Sequence, residues 1–105
     1  MTAGAKEAFE ELAEEVAPQG FTVSRMFGLP CLKYGGKAIV ALQGEGVAFK
    51  LGAGTGELTA ALAAEGAEPF DPAGTGRPMK DWVRLPASSA GTWVEHARVA
   101  ASRLG

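Results

Sequence analysis

The most informative stretch of this chain is CLKYGGKAIVALQ, residues 31–43. Two mainly apolar runs, residues 31–34 and 37–43, flank the pair Gly35-Gly36. Adjacent glycines supply the positive φ angles that a two-residue hairpin turn requires. After a second glycine-rich turn at residues 44–46, the run Val47–Leu51 continues the pattern. The stretch therefore predicts three consecutive antiparallel strands.

The flanking sequence predicts two further strands. Residues 21–27 alternate, with Phe21, Val23, Arg25 and Phe27 on one side, and Gly28-Leu29-Pro30 provides a turn into the next strand. Residues 79–85 also alternate, and Pro86 is expected to end that strand. We expect one sheet made of a β-meander and a later strand.

Three helices are predicted around these strands. Residues 3–17 have an apolar stripe at helical spacing, with Thr2 as N-cap and Pro18 near the end. A short helix is predicted at residues 57–65, and a last one is capped by Ser88 or Ser89. Residues 66–78 are rich in Gly, Pro and Asp and are predicted to form a loop.

These elements predict an α+β fold with an antiparallel sheet and helices packed on one face, in the order α-β-β-β-β-α-β-α. A chain of 105 residues suits one domain, residues 1–105. The 47% hydrophobic and 21% charged shares are those of a globular protein. One cysteine, no apolar run of transmembrane length and no signal-peptide core together predict a cytoplasmic protein.

The net charge of −2 argues against strong non-specific nucleic-acid binding, but the charges are unevenly distributed. Residues 1–20 hold one lysine and five glutamates, a net of −4, and residues 21–105 carry a net of +2. Alternation places basic side chains and a tryptophan on the sheet face away from the helices. That face is either an ordinary solvated surface or a site for anions or nucleic acid. Its members are Lys33, Lys50, Lys80, Trp82 and Arg84.

Two patterns resemble sites but lack essential residues. Residues 52–57 follow a strand and open a helix, but the third glycine of a dinucleotide fingerprint is replaced by Glu57. A strand-to-helix connection capped by Thr55 explains them better. Cys31 and His96 are single, so they cannot form a tetrahedral zinc site within one chain. We expect Cys31 to be buried and His96 to be a solvated helix residue.

The remaining candidates are two charged residues that need partners. Asp81 is predicted to pair with a basic neighbour such as Arg77. Arg25 occupies an inward strand position, where a charge needs a partner. It either holds the 70–78 loop through a carboxylate or carbonyls, or binds a ligand anion. No catalytic constellation, metal site or cofactor site is predicted.

Several short motifs, in order, resemble the N-terminal domain of the TfoX/Sxy family of competence regulators. The resemblance covers residues 5–104. Its most specific pieces are Arg25-Met26-Phe27-Gly28, Gly36-Lys37, Phe49-Lys50-Leu51, Glu68-Pro69-Phe70 and Gly76-Arg77-Pro78-Met79.

The resemblance implies an α+β domain without catalytic residues or cofactors, related in fold to YjbR/MmcQ-like proteins. Full-length members add a second, helical domain, so we expect a stand-alone copy of the first. It implies a non-enzymatic regulator of transcription or competence that acts through a protein partner, as a monomer or homodimer. The alternative is weak nucleic-acid binding through a basic set. That set comprises Arg25, Lys33, Lys50, Arg77, Lys80, Trp82 and Arg84.

Overall fold

The meander forms as the alternation predicts. The computed structural model describes residues 4–26, 28–72 and 74–103. Its first four strands are β1 (Phe21–Met26), β2 (Leu29–Tyr34), β3 (Lys37–Gln43) and β4 (Gly46–Lys50). Gly35 and Gly36 have φ angles of 60° and 82°, the positive values that the tight β2–β3 turn requires. The hairpin prediction is confirmed.

Two strands, rather than one, complete the sheet. They are β5 (Glu68–Phe70) and β6 (Met79–Pro86), and the spatial order is β1-β2-β3-β4-β6-β5 with every pair antiparallel. The α+β class and the antiparallel sheet are confirmed. The prediction of a loop throughout residues 66–78 is wrong at Glu68–Phe70, because those residues pair with β6.

The helices are α1 (Ala5–Val16), α2 (Gly56–Leu62) and α3 (Trp93–Ser102). Gly4 precedes α1 as its N-cap residue, and the predicted cap Thr2 lies outside the described residues. The predicted serine cap of the last helix is wrong. Residues 87–92 form a 3-10 segment before α3, and Ser89 Oγ donates to the Pro86 carbonyl instead.

The main core lies between the helices and one face of the sheet, which we call the helix face. Val47, Phe49 and Leu51 of the β4 region belong to this core, as the alternation predicts. Trp93 packs against Phe49 with ring centroids 6.2 Å apart. Burial of these large apolar side chains fixes the three helices on one face. No helix within the described residues is long and apolar enough to cross a membrane.

Candidate functional site

The sheet face opposite the helices, which we call the far face, is largely covered. It carries a second apolar cluster of buried residues, with Trp82 only 3% exposed. The prediction that Trp82 lies on an exposed face is therefore wrong, since its ring packs on Phe70 at a centroid distance of 5.0 Å. The buried members of this cluster are Cys31, Ala41, Ala48, Phe70 and Trp82.

Part of the cover of the far face comes from the chain at and after the end of β5, residues 70–72 and 74–78, which we call the cover segment. The Gln43 side-chain amide donates to the Asp71 carbonyl at 3.0 Å. Gln43 lies on β3, and β4 and β6 separate that strand from β5. Because neighbouring strands lie about 4.8 Å apart, the chain must leave β5 and cross the sheet to make this contact. The methyl side chains of Ala41 and Ala48 leave room for it.

Asp71 also organises the cover segment internally. Its carboxylate accepts hydrogen bonds from the backbone N–H groups of Thr75 at 3.3 Å and Gly76 at 2.8 Å. A carboxylate that closes a local turn in this way replaces backbone hydrogen bonds that a loop otherwise lacks. This aspartate therefore has a structural role.

Two of the predicted basic residues on the far face have intramolecular partners. The Lys50 ammonium lies 3.7 Å from the Asp81 carboxylate, so Asp81 pairs with Lys50 and not with Arg77. The Arg84 guanidinium donates twice to the Gln43 carbonyl, at 3.1 and 2.9 Å, and lies 3.6 Å from Glu68. Arg84 therefore supports the turn after β3 and is not free to meet a ligand in this arrangement.

The other four predicted residues are dispersed. Arg25 is exposed at the end of β1 and donates to the Gly28 carbonyl at 3.1 Å, so the predicted contact with the 70–78 loop is wrong. Lys33 is half-buried on the far face, while Lys80 and Arg77 are exposed. Among the described residues, none of these last three takes part in an ion pair. Arg25 and Arg77 are not members of the far-face cluster.

The sheet separates the only cysteine from the only histidine. Cys31 is buried in the far-face cluster, whereas the His96 ring lies 5.5 Å from Phe49 on the helix face. Burial raises the pKa of the Cys31 thiol, opposed by the nearby Lys33 charge, so the thiolate is disfavoured. The two side chains cannot act as a nucleophile and its base. No group of three metal-ligating side chains occurs in the described parts of the chain.

The glycine-rich connection at residues 52–57 is closed by its own side chains. Thr55 Oγ1 accepts from the Leu58 N–H at 3.1 Å and donates to the Gly52 carbonyl at 2.8 Å, which confirms it as the cap of α2. The Glu57 carboxylate pairs with Arg103. A hydrogen bond with its own backbone lowers the pKa of Glu57, and the Arg103 charge lowers it further. This carboxylate stands where a bound phosphate would need positive charge.

His96 is half-buried, not solvated as predicted. It faces a groove of about 370 Å³ between α2 and α3, lined by Ala60 and Ala61 of α2 and by Ala64 just after it. Burial lowers the pKa of His96 below its ordinary 6.5, and the Glu95 charge opposes the shift. The neutral imidazole is therefore favoured in the folded state.

This shift predicts how stability depends on pH. Because the folded pKa of His96 is lowered, its stabilising contribution is complete above about pH 6.5 and is lost as the pH falls through the folded value. We expect the free energy of unfolding to fall between about pH 7 and pH 5, and His96→Gln to flatten that fall. Urea titrations across this range measure it. Glu95→Gln is the matched comparison and should steepen the dependence, and an unchanged slope in His96→Gln would contradict this assignment.

A second groove with an apolar lining lies on the helix face, beside the edge strand β1. This α1–β1 groove measures about 570 Å³ and lies between α1 and the first three strands. Val23 is 68% exposed there, against 41% for Leu62, the other large exposed apolar side chain of the described residues. Lys6, Glu10 and Glu14 of α1 are charged, exposed residues along the groove. Its apolar residues are Phe9, Ala13, Val23, Pro30 and Leu42.

Sequence reasoning missed this groove. The alternation of β1 placed Val23 on the inward side, and its side chain does lie on the helix face. The sequence does not show how much of the sheet α1 covers, because that depends on how the helix packs. The acidic stripe of α1 was visible as the net of −4 in residues 1–20.

Comparison with known proteins adds nothing to these observations: no family model, no curated protein and no solved structure matches the chain.

Proposed function

We propose that this chain is a non-enzymatic regulatory domain of the TfoX N-terminal type that acts by binding a protein partner at the α1–β1 groove. The observation that carries the proposal is Val23, a valine 68% exposed on β1, whose outer edge pairs with no other strand of the described residues. Val23 lies in one groove with the partly buried Ala13 and Pro30, and charged residues of α1 surround them, an arrangement that fits an interaction site. The resemblance to a family of regulators supports the same class of function.

The described charged residues support a binding role over catalysis. Lys50, Arg84 and Glu57 each pair with another charged residue of the chain, which links neighbouring strands or helix ends. Cys31 is buried as a thiol, which fits a reducing cytoplasm, the compartment we propose.

Nucleic-acid binding remains the second proposal, and Lys33, Lys80 and Arg77 support it as basic residues outside the ion pairs described above. It has less support than the first. The tryptophan that would stack on bases is covered by Phe70, and the net charge is −2.

The test compares how much of a protein partner is bound by the wild type, by Val23→Lys and by Leu62→Lys. Leu62 is the matched control because it is also an exposed apolar residue but lies on α2. A partner captured from the source cytoplasm is first identified and then purified. We expect this purified partner to bind the wild type and Leu62→Lys. Binding to Val23→Lys should be at least about tenfold weaker, a loss of about 1.4 kcal/mol.

Two results would count against the proposal. One is a partner whose affinity is the same for Val23→Lys and the wild type. The other is tight binding to duplex DNA that weakens steeply between about 50 and 200 mM salt, which would favour the nucleic-acid proposal.

A further inference from the structure

We propose that the partner supplies a basic, extended segment that pairs with the free edge of β1 and lays alternate apolar side chains on the α1–β1 groove. The inference rests on the proposed function and specifies the chemistry of the partner. Three independent observations support it: the free edge, the groove and the charge of α1.

The two edges of the sheet differ in their ability to accept another strand. The β5 edge has three residues, and Pro69 among them has no backbone N–H to donate. The β1 edge has six residues and no proline, and among the described residues it pairs with β2 alone. An unpaired edge of this length presents backbone donors and acceptors that an extended peptide can use. Strand addition is therefore possible at β1 and disfavoured at β5.

The groove provides a place for the side chains of an added strand. Successive residues of a strand point to opposite faces, so every second side chain would lie on the helix face. There it would meet exposed Val23 and the partly buried Pro30 next to the edge. Removing this apolar surface from water would stabilise the complex beyond the backbone hydrogen bonds.

The negative charge of α1 favours a partner whose binding segment is positively charged. Glu10 and Glu14 line the groove and lie one helical turn apart. Lys6 in the groove and Arg25 at the end of β1 oppose them, but residues 1–20 as a whole carry a net charge of −4. These carboxylates favour lysine or arginine in the added strand and repel acidic residues. A second copy of this chain, paired edge to edge about a two-fold axis, would bring two acidic α1 helices together. Charge therefore favours a basic partner over self-association.

The experiment uses the intact protein and a synthetic peptide of about nine residues, within the usual range of strand lengths. Its odd positions, which would share the helix face, carry lysine at both ends and valine between them, and threonine occupies the even positions. One control replaces every lysine by glutamate, and another replaces the central valine by proline. Affinity is measured by titration, and the binding site by amide hydrogen exchange and chemical shifts of β1. The variants are Val23→Lys and the double change Glu10→Lys with Glu14→Lys.

We expect the lysine peptide to bind the wild type and to protect β1 amides from exchange. Its affinity should fall at least about fivefold for the glutamate-to-lysine variant, which should instead gain affinity for the glutamate peptide. The proline peptide keeps the charge but loses a backbone donor, so it should bind more weakly than its parent. This reversal of preference would not follow from general charge attraction elsewhere on the surface.

Other outcomes overturn the inference and separate it from the proposed function. Equal binding of the lysine and proline peptides, or no protection of β1, would exclude strand addition. A purified partner that requires Val23 but has no basic segment at β1 would overturn the inference while leaving the proposed function intact. A dimer that depends on Val23 would assign the edge to a second copy. If the wild type bound neither the lysine peptide nor a protein partner, both the inference and the proposed function would be overturned.

Discussion

Phe70→Ala is expected to lower the free energy of unfolding by about 3–5 kcal/mol, the usual cost of removing a buried phenylalanine side chain. Phe70 is fully buried and packs on Trp82 at the start of the cover segment. Its removal leaves a cavity above the far-face cluster and detaches the cover segment from its main apolar contact. Urea denaturation followed by tryptophan fluorescence measures the loss.

The same substitution should expose Cys31 to thiol reagents. In the wild type, Cys31 is fully buried within the far-face cluster and reacts only when the structure opens. We expect Phe70→Ala to react at least about a hundredfold faster, because a loss of 3 kcal/mol alone raises the opened fraction by roughly that factor. The labelling rate at constant pH measures it.

Phe9→Ala is the matched control for this labelling experiment. Phe9 is also buried, but it packs in the main core on the other side of the sheet. In Phe9→Ala, Cys31 should be labelled at the rate calculated from the unfolding free energy of that variant. In Phe70→Ala, it should be labelled faster than the rate calculated in the same way. A Phe70→Ala protein that labels as slowly as the wild type would show that the cover segment does not protect the thiol.

Gly46→Ala is expected to cost about 1–3 kcal/mol, because it adds a methyl group where the backbone leaves no room. A Cβ atom at Gly46 would lie 2.8 Å from the Leu85 carbonyl oxygen and 3.0 Å from Arg84 Cζ. The Arg84 side chain can move, but it would lose its hydrogen bonds to the Gln43 carbonyl. The Leu85 carbonyl belongs to the paired strand β6 and can move only by distorting the sheet.

Gly56→Ala is the comparison for this prediction. Apart from its chain neighbours and the backbone of its own helix, no atom lies within 4 Å of a Cβ at Gly56, the first residue of α2, whose φ angle is ordinary. We expect this substitution to be neutral or to stabilise by about 0.4–1 kcal/mol, since it restricts the unfolded chain. Equal urea midpoints for the two alanine variants would refute the steric argument at Gly46.

Local patterns predicted the strands well and their surroundings poorly. The bounds of β3 follow directly from the apolar run 37–43, because the glycine turns on both sides fix where it can begin and end. β5 carries no comparable signal. It has three residues, one of them proline, and exists because β6 is available to pair with it.

The candidate sites show the same limit. Alternation correctly placed Trp82 and Arg84 on the face away from the helices, but it cannot say what lies above them. That depends on Phe70 and on the contact between Gln43 and Asp71, which are 28 positions apart. Val23 is the opposite case, since its inward position is correct but no helix covers it. Burial at both places is decided by contacts distant in sequence.

The connections of the sheet have a consequence for the order in which the protein assembles. β2, β3 and β4 are joined by the two-residue turns 35–36 and 44–45, so their contacts form at little cost in chain entropy. β4 and β6, by contrast, are neighbours separated by residues 51–78. Closing that longer loop costs more chain entropy before β4 and β6 can pair, so this pairing is expected to form later. The meander is thus suited to form first, as a template on which β6, and after it β5, completes the sheet.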